Sequence, residues 1–191
     1  MTKPLSEMTL EELWRLFPVI LSAYNPDWQN WYRDESELLT RCFGDRLKRI
    51  RHIGSTSVPG MLAKPTVDIL LEAAPDCPPE KLRESGLRSG YMVMAETGGN
   101  AETYRLDLCK GYTASGFAER VFHLHVRYLG DWDEPYFCEY LRHHPEVCRE
   151  YAELKASLLP RFRHDRDGYT AAKGEFIRRW TCRARAELAQ F

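Results

Sequence analysis

The sequence predicts an α/β fold of the α+β kind: a small mixed β-sheet flanked by helices, with a helical C-terminal part. Three observations predict it. Apolar and polar residues alternate over 66–72, 102–110 and 121–127, the period of strands with two unlike faces. Apolar residues recur at helical spacing over 26–43 and 79–89. From residue 136 onward the pattern is helical throughout. The length, 191 residues, fits one domain, with 1–22 as an N-terminal helical extension and 136–191 as the C-terminal helical part.

The elements follow in order. Ser6 or Thr9 can cap a first helix, and Leu10, Leu13, Trp14, Phe17, Ile20 and Leu21 form its apolar stripe. That stripe needs a partner: the body of the same domain or, as the alternative, a second copy in a homodimer. A helix from Pro26 or Asp27 to Phe43 ends at Gly44, which suits a C-terminal cap. Its Trp28 and Trp31 read as core residues. Residues 47–53 form a first strand, 66–72 a second, 91–96 a third, 102–110 a fourth and 121–127 a fifth. Residues 111–120 read as a loop. The C-terminal part holds helices over 136–143, from Pro145 to 158 or 159 with Pro160 as a disturbance, and 169–189.

Two stretches carry chemistry. In Gly54-Ser55-Thr56-Ser57, Gly54 permits a tight turn and three hydroxyls follow it. Lys64 adds a cation. On the next strand Val67, Ile69 and Leu71 share one face, while Asp68, Leu70 and Glu72 share the other. A carboxylate beside an anion-sized loop repels an anion unless a metal ion stands between them. Glu72 lies about 13 Å from Asp68 along a regular strand, too far to share a metal centre, and reads as an exposed charge at the strand end. In the fifth strand His123 and His125 share one face, so both imidazoles can hold one ion if a third ligand is near. Asp107 points away from Leu106 and Leu108 and is a weaker candidate than His125.

The stretch His52-Ile-Gly-Ser-Thr-Ser-Val-Pro-Gly60, with Lys64-Pro65 and Asp68-Ile69, resembles the signature of the GrpB family, a branch of the polymerase-beta-like nucleotidyltransferase superfamily. Tyr24 to Trp28, the His-x-His strand, Tyr140 to Glu146, Tyr151 to Lys155 and Tyr169 to Lys173 extend the resemblance over about 24–177. The resemblance implies the sheet topology of a nucleotidyltransferase. It also implies a Gly-Ser turn that binds a nucleotide and strand carboxylates that bind divalent metals. The position two after Asp68 is Leu70, where the superfamily has a second carboxylate.

These readings give a set of expectations. A nucleotide or other phosphorylated small molecule is held by Gly54, Ser55, Thr56, Ser57, Lys64, Tyr169 and Lys173, with Arg142 and Lys155 as further contacts. A divalent metal, Mg²⁺ or Mn²⁺ with Zn²⁺ as an option, is held by Asp68, His123 and His125. Asp68 is the expected catalytic residue of a metal-dependent nucleotidyl transfer. The alternatives are a catalytically degenerate nucleotide-binding module and a metal-dependent hydrolase using Asp68, His123 and His125.

Composition narrows the partners. The 27 Lys and Arg against 28 Asp and Glu give a net charge of −1, which argues against general nucleic-acid binding. No apolar run approaches the length of a membrane span. The six cysteines at 42, 77, 109, 138, 148 and 182 form no Cys-x-x-Cys pair, and 1–12 lacks the apolar core of a secretory signal. A reduced, cytoplasmic setting is the expectation.

Overall fold

The computed structural model describes residues 3–188. Five strands form one mixed sheet: β1 (Leu47–Ile53), β2 (Val67–Ala73), β3 (Met92–Thr97), β4 (Arg105–Thr113) and β5 (Gly116–Tyr128). Their spatial order is β1-β2-β5-β4-β3. The central pair β2 and β5 runs parallel, and the other three pairs are antiparallel. The helices are α1 (Leu10–Leu16), α2 (Asp27–Phe43), α3 (Pro79–Arg88), α4 (Asp133–His143), α5 (Pro145–Phe162), α6 (Arg166–Ala172) and α7 (Gly174–Leu188).

The two sheet faces have different covers. Val67, Ile69 and Leu71 of β2 join Leu106, Leu108, Phe122, Leu124 and Val126 on one face. Trp28, Leu39 and Phe43 of α2 and Leu82 of α3 close over them. On the other face Leu70 packs with Ile53, Cys138 of α4 and the partly buried Trp132. The C-terminal helices hold a second core of Phe137, Tyr140, Leu141, Val147 and Tyr151. Val58 and Met61, from the loop between β1 and β2, insert into that core. The loop is therefore clamped between sheet and helices, which orders it without regular backbone pairing.

The structure corrects several expectations. The N-terminal helix is only seven residues long. Thr9 and Glu12 form the expected capping box, but Pro18 follows at once and the chain runs on extended. Phe17 then packs on Tyr112 and Phe117 of the β4–β5 hairpin. Residues 111–120 are not a loop. Both strands continue through them to a tight turn pairing Thr113 with Gly116, and the irregularity at Gly111 is absorbed at φ +91°. Helix α5 runs through Pro160, which costs a single backbone bond in its last turn. The expected last helix is broken in two at Lys173, and Ala189 lies outside the described residues.

Glu72 is the clearest correction. It is fully buried rather than exposed at a strand end. The turn at 130–132 and α4 cover its face of the sheet. Arg49 binds its carboxylate with a two-pronged ion pair, and the Gly130 amide donates to it at 3.2 Å.

Candidate metal centre and its cationic rim

The parallel pairing of β2 with β5 sets Asp68 directly beside His123 and Leu70 beside His125. Same-face residues of neighbouring strands meet in that register, so the carboxylate and both imidazoles converge. Asp68 Oδ1 lies 3.2 Å from His123 Nδ1 and 3.6 Å from His125 Nε2. One ligand atom from each of the three residues lies within 4.8 Å of the others, a spacing that accommodates one ion. Gly54 makes room for this. Its φ is +70°, and a Cβ there would collide with the Asp68 carboxylate. Gly54→Ala is expected to displace Asp68 and to destabilise the fold by about 1–3 kcal/mol. Metal titration of the variant beside its melting curve checks this.

Neighbours fix both imidazoles. His125 Nδ1 lies 2.8 Å from Asp107 Oδ1, and Asp107 is itself held by Arg127 at 2.7 Å. Asp107 therefore orients His125 and lies outside the group of three whose ligand atoms converge. On the other side the Arg166 guanidinium donates to the Tyr112 hydroxyl at 2.7 Å, and that hydroxyl lies 2.8 Å from His123 Nε2. Carboxylate or hydroxyl partners on the far nitrogen are the usual support of a metal-binding histidine.

The electrostatics follow from these contacts. Burial disfavours charge on His125, but hydrogen bonds to Asp107 and Asp68 outweigh it and raise its pKa to about 9. Burial prevails at His123 and lowers its pKa. Burial alone would raise the Asp68 pKa; the two histidines hold it well below the carboxylate range. Asp107, half-buried beside His125 and Arg127, is held down to about 2 by them.

Around this centre stand four cations: Lys64, Lys155, Lys173 and Arg166. Among the described residues none has a carboxylate within 4.0 Å. Each lies over an aromatic ring instead. Lys64 and Lys173 sit 5.9 and 4.6 Å from the Tyr169 ring centre, Lys155 sits 4.5 Å from Tyr151, and Arg166 sits 5.2 Å from Tyr112. A ring quadrupole holds a cation without cancelling its charge. Burial and the mutual repulsion with Lys173 and Arg166 push the Lys64 pKa down to about 7. Burial and Lys173 push Lys155 down to about 7. Lys173, lowered to about 8 by burial and Arg166, is partly supported by Asp68.

The expected loop residues divide. Lys155 donates to Ser55 Oγ at 3.1 Å and to the Leu62 carbonyl, so Ser55 faces the cations. Thr56 and Ser57 do not face outward. Both are buried, with Thr56 bonded to the Thr66 carbonyl and His52, and Ser57 bonded to the Gly54 carbonyl. Their hydroxyls hold the one-turn 3-10 helix Ser55–Ser57 in place. Tyr169 is also fully buried; its hydroxyl donates to the Lys155 carbonyl and its ring is the platform under Lys64 and Lys173. Arg142 is engaged by Glu139 and the Ser57 carbonyl. Arg166 and Tyr112 belong to no motif in the sequence, and only their placement in space reveals them.

A separate cavity of about 620 Å³ lies between β1 and α4, beyond the wall of Ile53 and Cys138. Its carboxylates are each taken by an arginine: Glu72 by Arg49, Asp131 by Arg185 and Glu139 by Arg142. Arg51, also on its wall, has no carboxylate within 4.0 Å among the described residues, but the group of metal-ligating atoms lies at Asp68 instead.

The family model described as GrpB protein matches residues 18–183. The chain belongs to the GrpB family. It is 36% identical over 163 residues to UPF0157 protein PA4798 of Pseudomonas aeruginosa, covering 85% of this chain and 66% of that protein. It thus spans between about half and two thirds of the length of the first relatives it matches. The crystal structure of the conserved protein GrpB from Enterococcus faecalis superposes with a TM-score of 0.73 at 28% identity, covering 88% of this chain and 99% of that one. A more distant relative is a dephospho-CoA kinase of Mycolicibacterium paratuberculosis, 26% identical over 181 residues; the match covers 84% of this chain and 44% of that protein. Among the described residues of this GrpB chain no helix is long and apolar enough to cross a membrane.

Proposed function

We propose that this GrpB protein binds one divalent metal ion through Asp68, His123 and His125, and uses it to hold a phosphorylated ligand against Lys64, Lys173, Arg166 and Ser55. The observation that carries the reading is the ring of four cations without counter-ions beside a group of metal-ligating atoms. Buried and half-buried cations at this density repel one another, and an anion relieves that repulsion. A metal ion of charge 2+ removes the conflict between Asp68 and a phosphate. The dephospho-CoA kinase relative adds a name from phosphoryl chemistry, although the match leaves more than half of that protein outside it.

For a nucleotidyl transfer, Asp68, His123 and His125 would hold the ion, which would supply Lewis-acid polarisation of the reacting phosphate, while Lys64 and Lys173 would stabilise the charge that develops. A paired-metal mechanism lacks its second carboxylate here. Leu70 is buried with Ile53 and Cys138, Glu72 is spent on Arg49, and Asp107 on His125 and Arg127. The donor set favours a second reading, a metal-dependent hydrolase: two imidazoles and one carboxylate suit Zn²⁺, Mn²⁺ or Fe²⁺, and an open position holds a water. A thermal-shift screen crossing nucleotides with Mg²⁺, Mn²⁺ and Zn²⁺ tests the proposal. Stabilisation by a nucleotide only in the presence of metal supports it; no response to any pair sinks it. Tight Zn²⁺ or Mn²⁺ with no nucleotide response favours the hydrolase.

The titration of His125 gives a further test. Its Nε2 must lose a proton before it can bind metal, and that proton is held up to about pH 9. Metal affinity is therefore expected to rise about tenfold per pH unit from neutrality to about pH 9 and to level off above it. Competition with a chromophoric chelator at a series of pH values measures this. A flat profile removes His125 from the ligand set.

A further inference from the structure

We infer that the Asp68 site and its cations recognise the phosphate chain of their ligand and not the base or body attached to it, so that a di- or triphosphate is bound far more tightly than a monophosphate and irrespective of what it carries. The inference rests on the proposed metal and phosphate site and specifies its ligand class.

Charge is the first argument. Lys64, Lys155, Lys173 and Arg166 stand opposite a single carboxylate, Asp68, among the described residues around them. A monophosphate dianion leaves cations uncompensated once a metal ion is also present. A triphosphate chain supplies enough charge for both the ion and the lysines. Unused donor capacity is the second argument. Lys173 is over nine-tenths buried, yet its ammonium donates no hydrogen bond to any described residue, and neither does that of Lys64. An ammonium brings three donors, so two of them offer several bonds to successive phosphoryl oxygens. Lys155 differs: it is bonded to Ser55 and Leu62 and so fixes the loop while adding its charge.

Aromatic placement is the third. A free ring face is the usual platform on which a base gains affinity by stacking. The four rings that border the cations are all engaged already: Phe117 lies 5.7 Å from Arg166 and is met by Phe17 and Tyr112. Tyr169 is fully buried under Lys64 and Lys173. Tyr112 is stacked on His123, covered by Arg166 and met edge-on by Phe17 and Phe117. Tyr151 lies between Lys155 and Phe176. The rings serve as seats for cations and are thereby closed to a base.

The experiment is isothermal titration of the full chain at fixed free Mn²⁺ with orthophosphate, pyrophosphate, tripolyphosphate, ATP, GTP, CTP and UTP. Tripolyphosphate is expected to bind at least tenfold more tightly than orthophosphate, and all four nucleoside triphosphates within about threefold of tripolyphosphate. Lys173→Ala should reduce the tripolyphosphate advantage at least threefold, and Lys173→Arg should restore it; the Arg166→Gln variant gives the same reading should Lys173→Ala fail to fold. Orthophosphate binding as tightly as tripolyphosphate, or one base preferred by more than tenfold, overturns the inference and leaves the phosphate site standing. No binding of any of the seven probes overturns the site as well.

Discussion

Asp68→Ala lowers affinity for a divalent metal by at least about 100-fold. Loss of a group that merely supports a ligand already costs about 10–100-fold, and Asp68 is the one anionic ligand of the three. It is also the one that both imidazoles face, at 3.2 and 3.6 Å. The variant leaves two neutralisable nitrogens, one of which carries a proton up to about pH 9. Asp68→Asn keeps the shape and removes the charge, and the same loss is expected. Titration with Zn²⁺ and Mn²⁺ measures both; affinity within threefold of the parent would show that the three residues are not a metal site. Stability without metal moves as well. The folded-state pKa of Asp68 lies below its unfolded value, so its pairing stabilises the protein above about pH 4 and is lost as pH falls. The destabilisation by Asp68→Ala is therefore present at neutral pH and fades in acid.

Glu72→Ala is expected to cost about 1–3 kcal/mol of stability, which for a chain of this size is a fall of roughly 2–12 °C in Tm. The cause is what remains. Arg49, itself partly exposed, loses its partner, and the Gly130 amide loses its acceptor beneath α4. Replacing both Arg49 and Glu72 by leucine removes the stranded charge and is expected to recover most of the loss. Chemical denaturation of the two single variants and the pair measures the coupling. A loss below 1 kcal/mol for Glu72→Ala would mean that the pair is solvated in solution.

The two carboxylates of β2 show how far sequence reasoning reaches. The period-two pattern put Asp68 and Glu72 on one face, and both are there. Their environments were not legible, because burial on that face depends on α4 and the turn at 130–132, which lie some sixty residues away in the chain. The same limit applies to the loop. Gly54 and the hydroxyl run marked it as special, yet the hydroxyls of Thr56 and Ser57 look alike with that of Ser55 in the sequence. Their division into one facing the cations and two turned inward follows from contacts with Thr66, His52 and Lys155. Asp107 was readable as a residue on the correct face. Its pairing with His125 could be found only from the register of β4 against β5.

By itself the sequence determined most of the local elements, the faces of the strands and the family. These are set by period, by capping residues such as Thr9, and by a motif that is continuous in the chain. Tertiary structure alone decided which polar groups are free to act. That outcome depends on partners distant in sequence: Arg49 occupies Glu72, Arg127 occupies Asp107, and Tyr169 and Tyr112 hold lysines and an arginine that no described carboxylate neutralises. Coulomb and desolvation energies are functions of distance and cover, and a linear sequence encodes neither until the chain has folded.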